Sequence, residues 1–99
     1  MHSFQLTEKA IKDLTEIWNY TFDTWSETQA DKYYGELIEF CQTLAEEPEK
    51  GRSYTQLIPK LKGAKINRHI IFYRTITENT IEIERILHER MDLKSRLEK

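Results

Sequence analysis

His69-Ile70-Ile71-Phe72-Tyr73-Arg74-Thr75-Ile76, then Thr77-Glu78-Asn79-Thr80, then Ile81-Glu82-Ile83-Glu84-Arg85-Ile86-Leu87 decide the fold class of this chain. The two longer stretches are rich in β-branched and aromatic residues, which suit a pleated, half-buried surface. The four residues between them have turn chemistry, so the whole reads as an antiparallel hairpin. With Glu78 and Asn79 at the tip, Ile76 faces Ile81 and His69 faces His88. One face then carries Ile70, Phe72, Arg74, Ile76, Ile81, Ile83, Arg85 and Leu87. The other carries His69, Ile71, Tyr73, Thr75, Glu82, Glu84, Ile86 and His88. The first face is the more apolar and is expected to pack on the helical hairpin that precedes it. The second joins an apolar centre to two facing histidines, the composition of a binding surface. A slip of one residue would exchange the faces.

Upstream of this hairpin the apolar period is helical. Ala10, Ile11, Leu14, Ile17, Trp18, Phe22 and Trp25 recur at helix spacing, with Thr7 as N-cap and Glu8 favourably placed for the helix dipole. Ser26-Glu27-Thr28-Gln29 has the form of a capping box and starts a second helix. Ala30, Tyr33, Tyr34, Leu37, Ile38, Cys41, Leu44 and Ala45 supply its apolar stripe, and Pro48 and Gly51 end it. Helices over residues 7–25 and 27–46 with so short a link form an antiparallel αα-hairpin. Ser3–Leu6 is expected as an edge strand. Leu57–Ile66 is a weaker strand, broken by Pro59 and Gly63, whose useful part begins near Leu61. Residues 89–99 read as a short polar helix or tail. The expected fold is therefore α+β in one domain over residues 1–99. A strand and a helical hairpin pack on a small antiparallel sheet, in the order β-α-α-β-β-β, before the C-terminal helix or tail.

Composition narrows the function classes. Ninety-nine residues with 38% hydrophobic content bury only a modest core, so a large substrate cavity is not expected. Cys41 is the single cysteine, which excludes a disulfide within the chain; on the apolar stripe it reads as a buried, inert thiol. No apolar run approaches the ~20 residues that cross a bilayer. Met1-His2-Ser3-Phe4 does not open a signal peptide, and the cytoplasm is the expected location. Residues 1–49 hold three lysines and eleven acids, whereas residues 50–99 hold twelve lysines and arginines against six acids. Such halves either complement each other within the fold or present a basic surface to nucleic acid or to an acidic partner.

Few constellations carry chemistry. The three glycines are too far apart for a phosphate loop, and no HExxH, CxxC or EF-hand pattern occurs. The serines lie at ends, caps or loops without a nucleophile elbow. No metal or cofactor is expected. His69 and His88 admit three readings: a strand pair, part of a metal site with Glu82 or Glu84, or a general base and acid for phosphodiester cleavage. In the last, Arg68, Arg90 and Lys65 would steady the phosphate. Arg85, falling mid-strand, is expected to fold over the core and pair with a helix acid, and Arg74 is open to the same role. Trp18 and Trp25 read as core and hairpin anchors.

The strings KAIKDLTEIWNYT, W…QADKYYGELIEFCQTLAEEPEKGRS, HIIFYR and above all IEIERILHERMD, together with the element order, resemble the ParE branch of the RelE/ParE toxins. The resemblance spans essentially the whole chain. It implies the toxin of a type II toxin–antitoxin module, acting on DNA gyrase through its A subunit and held in check by a ParD-like antitoxin. That antitoxin would wrap the toxin with a helical C-terminal segment. Relatives of RelE type cut ribosome-bound mRNA with Lys, Arg, Tyr or His on the sheet face away from the helices and on the tail. Here His69 and His88 are expected on that face, but no tyrosine follows Tyr73. The set looks incomplete, so the resemblance implies no catalytic residues and no direct contact with nucleic acid. The alternative is a ribosome-dependent mRNA endoribonuclease using His69, His88, Arg68 and Arg90. Target binding is assigned to His88, Arg90, Met91, Asp92, Leu93 and Arg96. Antitoxin binding is assigned to Ile71, Tyr73 and Ile86, with a groove between the helical hairpin and the sheet as the seat.

Overall fold

Thr7 and Ser26 begin the two long helices. In the computed structural model, which describes residues 1–97, α1 runs over Glu8–Thr24 and α2 over Glu27–Glu46. Thr7 Oγ1 accepts the Ala10 amide at 3.0 Å and Ser26 Oγ accepts the Gln29 amide at 3.1 Å, so each N-terminus has a side-chain acceptor. The side chain of Gln29 lines a groove described below rather than returning to Ser26. Trp18 Nε1 donates to Asp31 Oδ1 at 2.9 Å and clips the helices together. Trp25, by contrast, is 72% exposed at the link, so it anchors no core.

The strands are β1 (Ser3–Leu6), β2 (Arg52–Ser53), β3 (Lys62–Ile66), β4 (His69–Thr77) and β5 (Thr80–His88), in the spatial order β1-β5-β4-β3-β2. β1 pairs with β5 in parallel, so the sheet is mixed rather than antiparallel throughout. A four-residue strand carries no sequence mark of its direction; here α1 and α2 both intervene before the sheet resumes. β2 is a further short edge strand that the expected order did not contain. A five-residue helix, α3 (Leu93–Leu97), follows the sheet.

Both ends of the β4–β5 hairpin have the expected register, His69 against His88 and Thr77 against Thr80. Its middle does not. Thr75 faces Ile81 and Tyr73 faces Ile83, so Ile76 is extra in β4 and Glu84 is extra in β5. Two bulges on opposite strands cancel at the ends and exchange the faces between them. Ile81 and Ile83 thereby join Ile71, Tyr73 and Ile86 on the side that packs against Ala10, Leu14, Leu37, Cys41 and Leu44 of the helices. Ile70, Phe72 and Leu87, expected on the helix side, turn outward. They are covered by Leu61, Leu97 and the partly buried Tyr54, Leu57, Ile58 and Leu93. The sheet thus has an apolar cluster on each face. Tyr73 closes the helix-side cluster, its hydroxyl donating to the Pro48 carbonyl at 2.7 Å and accepting the Gly51 amide at 2.9 Å. A Cβ at Gly51 would collide with that hydroxyl, which accounts for glycine there. Burial pushes the Cys41 thiol up to about 12, so it stays protonated and inert.

Candidate functional site

The turn Asn67-Arg68 sets the floor of the candidate site. Asn67 has φ 53°, a left-handed conformation that asparagine tolerates, and it brings His69 back beside Ile66. The Glu89 amide donates to the Arg68 carbonyl at 2.8 Å, which continues the ladder one step past His88. The two imidazoles therefore lie side by side, ring centres 5.4 Å apart and planes at 80°. They are not on the face away from the helices. His69 Nδ1 lies 2.7 Å from the Tyr33 hydroxyl of α2 in a hydrogen bond, which places it on the helix side. Burial, and then the charge of His88, lower the His69 pKa to about 4 against the pull of Asp13 and Glu89. His88 Nδ1 accepts the Arg90 amide at 3.1 Å, so its neutral form carries the proton on Nε2.

Around this pair the helical hairpin and the sheet end enclose a groove of about 840 Å³. Ile17, Tyr20 and Trp25 form one wall and Lys32, Tyr33 and Glu36 the other. Tyr20 is 68% exposed, so the rim presents uncovered aromatic surface. The cations flanking the histidines are engaged: Lys65 and Arg68 reach Glu89 at 2.8 and 3.6 Å. Lys65, first, holds the Glu89 carboxyl below its ordinary range.

The residues assigned from sequence separate into four groups. Ile71 and Tyr73 are 0% exposed and Ile86 is 2% exposed, so no partner touches them in this fold. The two bulges gather Ile81 and Ile83 onto the same face, which makes it the one the helices cover. His88 and Met91 line the groove. Arg90, Asp92 and Arg96 are exposed beyond it, while Leu93 packs against the outward cluster. The C-terminal segment is not a loose tail, because Leu97 is buried and Asp92 Oδ1 accepts the Ser95 amide at 3.3 Å.

Arg85 pairs with a helix acid as expected, Asp13, through Nε to Oδ2 at 2.8 Å and Nη2 to Oδ1 at 2.9 Å. Asp13 was the residue missed. It falls on the same side of α1 as Ala10, Leu14 and Ile17, and an acid within an apolar stripe is the signal that marks it. Tyr33 falls on the apolar stripe of α2, and nothing in its spacing announces the contact with His69. Arg74 turns to Glu84 at 3.1 Å and Glu82 at 4.0 Å within the hairpin rather than to the helices. Among the described residues no cluster of three His, Cys, Asp or Glu is arranged to hold a metal ion.

The family model described as ParE toxin of type II toxin-antitoxin system, parDE, matches residues 4–93. The chain belongs to this ParE toxin family. Toxin ParE1 of Mycobacterium tuberculosis is 36% identical over 90 residues, which cover 91% of this chain and 92% of the relative. Toxin ParE1 of Caulobacter vibrioides is 31% identical over 97 residues, 98% of this chain and 99% of the relative. Toxin ParE of Escherichia coli is 32% identical over 97 residues, 98% of this chain and 94% of the relative. Two solved structures share the ParE-type fold. A chain of the chromosomal ParDE toxin–antitoxin system from P. aeruginosa superposes with TM-score 0.75 at 21% identity, covering 89% of this chain and 96% of that one. A chain of the RelBE2 toxin–antitoxin complex from Mycobacterium tuberculosis gives 0.67 at 20% identity, covering 88% and 96%.

Proposed function

We propose that this ParE-family toxin poisons DNA gyrase by binding it through the A subunit, with no chemistry of its own. A ParD-like antitoxin neutralises it in the cytoplasm. The observation that carries the non-catalytic reading is the state of His69. A general acid or base works best with a pKa near the operating pH. His69 is held neutral down to about pH 4 and is tied to Tyr33, and the nearby Lys65 and Arg68 are turned to Glu89. A phosphodiester arriving there would find His69 without a proton to give near neutral pH, and Lys65 and Arg68 already paired.

The groove is the antitoxin's seat in this reading. Its exposed aromatic rim and apolar depth suit one face of an amphipathic helix. The chromosomal ParDE system with the same fold is a toxin–antitoxin pair, which supports a protein partner of this kind. Among the described residues no helix is long and apolar enough to cross a membrane.

The test is gyrase supercoiling and ribosome-dependent mRNA cleavage, each measured with the wild type, His69→Ala and His88→Ala. The wild type and His69→Ala are expected to inhibit supercoiling alike, His88→Ala to lose at most its own share of target binding, and all three to leave mRNA intact. Cleavage by the wild type that falls ~10²-fold in either variant would establish a ribonuclease instead. Co-purification with the product of the neighbouring gene, abolished by Tyr20→Glu at the groove rim, tests the seat.

A further inference from the structure

One guanidinium joins three elements. Besides its two bonds to Asp13 on α1, Arg85 of β5 donates from Nη1 to the Arg96 carbonyl of α3 at 2.9 Å. Asp13 Oδ2 also accepts the Ile86 amide at 2.9 Å, so the carboxylate is fixed from both sides. The ion pair is largely buried, with side-chain exposures of 16% for Arg85 and 7% for Asp13.

Such a pair is a poor way to gain stability. Desolvating both charges offsets most of their attraction, and apolar residues of similar volume usually stabilise as well or better. What a bidentate guanidinium supplies is fixed geometry. The element that needs it is α3. Five residues are far below the roughly 12–15 at which a helix holds by itself. Helical carbonyls in the last turn lack partners, and Arg85 serves one of them with a cation at the favourable end of the dipole.

We propose that Arg85 is the positioning residue of the C-terminal segment. Anchored by Asp13, it sets where α3 and the exposed Arg90–Asp92 stand relative to α1. That the segment meets gyrase rests on the function proposed above; that Arg85 places it does not.

Arg85→Lys keeps the charge but cannot span the Asp13 carboxylate and the Arg96 carbonyl together. Backbone ¹⁵N relaxation of the full chain reads the result directly. In the wild type residues 93–97 should be as ordered as β4 and β5. In Arg85→Lys and in Asp13→Asn, residues 93–97 should loosen while the strands stay rigid. Equal loosening of strands and helix would show a general structural role, and unchanged order at 93–97 would remove the positioning role; either overturns the proposal. Asp13→Glu keeps both charges but displaces the guanidinium from the Arg96 carbonyl, so it stands in with the same readout if the other two variants fail to fold. Each variant that loosens α3 should weaken gyrase inhibition about tenfold, the consequence of an unordered contact segment. Full inhibition with a loosened α3 would sustain the placement by Arg85 and take the segment out of the gyrase contact. A wild type that leaves gyrase unaffected defeats the proposed function alone, and the relaxation data still decide the placement.

Discussion

The two faces of the sheet are covered by different kinds of chain. On one side lie α1 and α2, 17 and 20 residues of periodic sequence with side-chain caps at both N-termini. On the other lie the irregular segment around Tyr54–Leu61 and the five-residue α3. Both bury apolar side chains of the same two strands, β4 and β5. The long helices bring their own local hydrogen bonding to the contact. The outer cover depends on the sheet for its shape, so it is expected to open first, on the low-stability end of the molecule. The expected target contacts Arg90, Asp92 and Arg96 sit on that weaker cover, and the groove opens on the stronger one.

Leu37→Ala should produce the largest effect. The side chain is fully buried between α2 and the sheet, and its truncation is expected to cost about 3 kcal/mol. Urea denaturation measures it, and both partner interactions should fall with the loss of folded protein. Leu97→Ala removes the same atoms from the outer cover. Because the short cover around it relaxes into the space more readily than α2 does, about 1 kcal/mol is expected. Equal losses at the two leucines would end the distinction between the covers.

An acid limb should come from the helix-side groove. His69 titrates at about 4 in the fold and near 6.5 when free, so the unfolded chain binds more protons between those values. Stability is therefore full above pH 6.5 and declines as the pH falls toward 4. His69→Gln should flatten the denaturation midpoint across that window. A midpoint that falls just as steeply in the variant would assign the slope to other groups.

These differences bear on what could be read from residue order alone. The helical hairpin was legible because period and caps agree: Ala10, Leu14 and Ile17, or Leu37, Cys41 and Leu44, have one geometric meaning once Thr7 and Ser26 fix the starts. The ends of the β4–β5 hairpin were legible because the turn sets them. Its middle was not, because Ile76 and Glu84 are ordinary strand residues whose bulging is decided by what the helices require of the sheet. That single uncertainty brought Ile81 and Ile83 beside Ile71, Tyr73 and Ile86, so the face expected to be surface became the core. The pairing of Arg85 was legible as a need for some acid, but choosing Asp13 among eleven acids of the first half required the register. Trp25 was misplaced because helical spacing continues one step beyond the last turn of α1, where the chain has already left the core.

The smallest effect sharpens the comparison from the solvent side of the stronger cover. Gly35 sits in the interior of α2, and a Cβ built there meets nothing within 4 Å. Glycine in a helix interior is less favourable than alanine by roughly 0.5–1 kcal/mol, chiefly through the freedom of the unfolded chain. Gly35→Ala should therefore raise the thermal midpoint by a few degrees, as expected from about 1 kcal/mol in a domain of this size. The groove is lined from α2 by Gln29, Lys32, Tyr33 and Glu36, so the added methyl should leave antitoxin affinity unchanged. A rise in stability with weaker antitoxin binding would show that the antitoxin reaches round to this side of α2. No rise at all would mean that α2 is not limited by its own helical propensity, and the account of the stronger cover as locally self-supporting would fail.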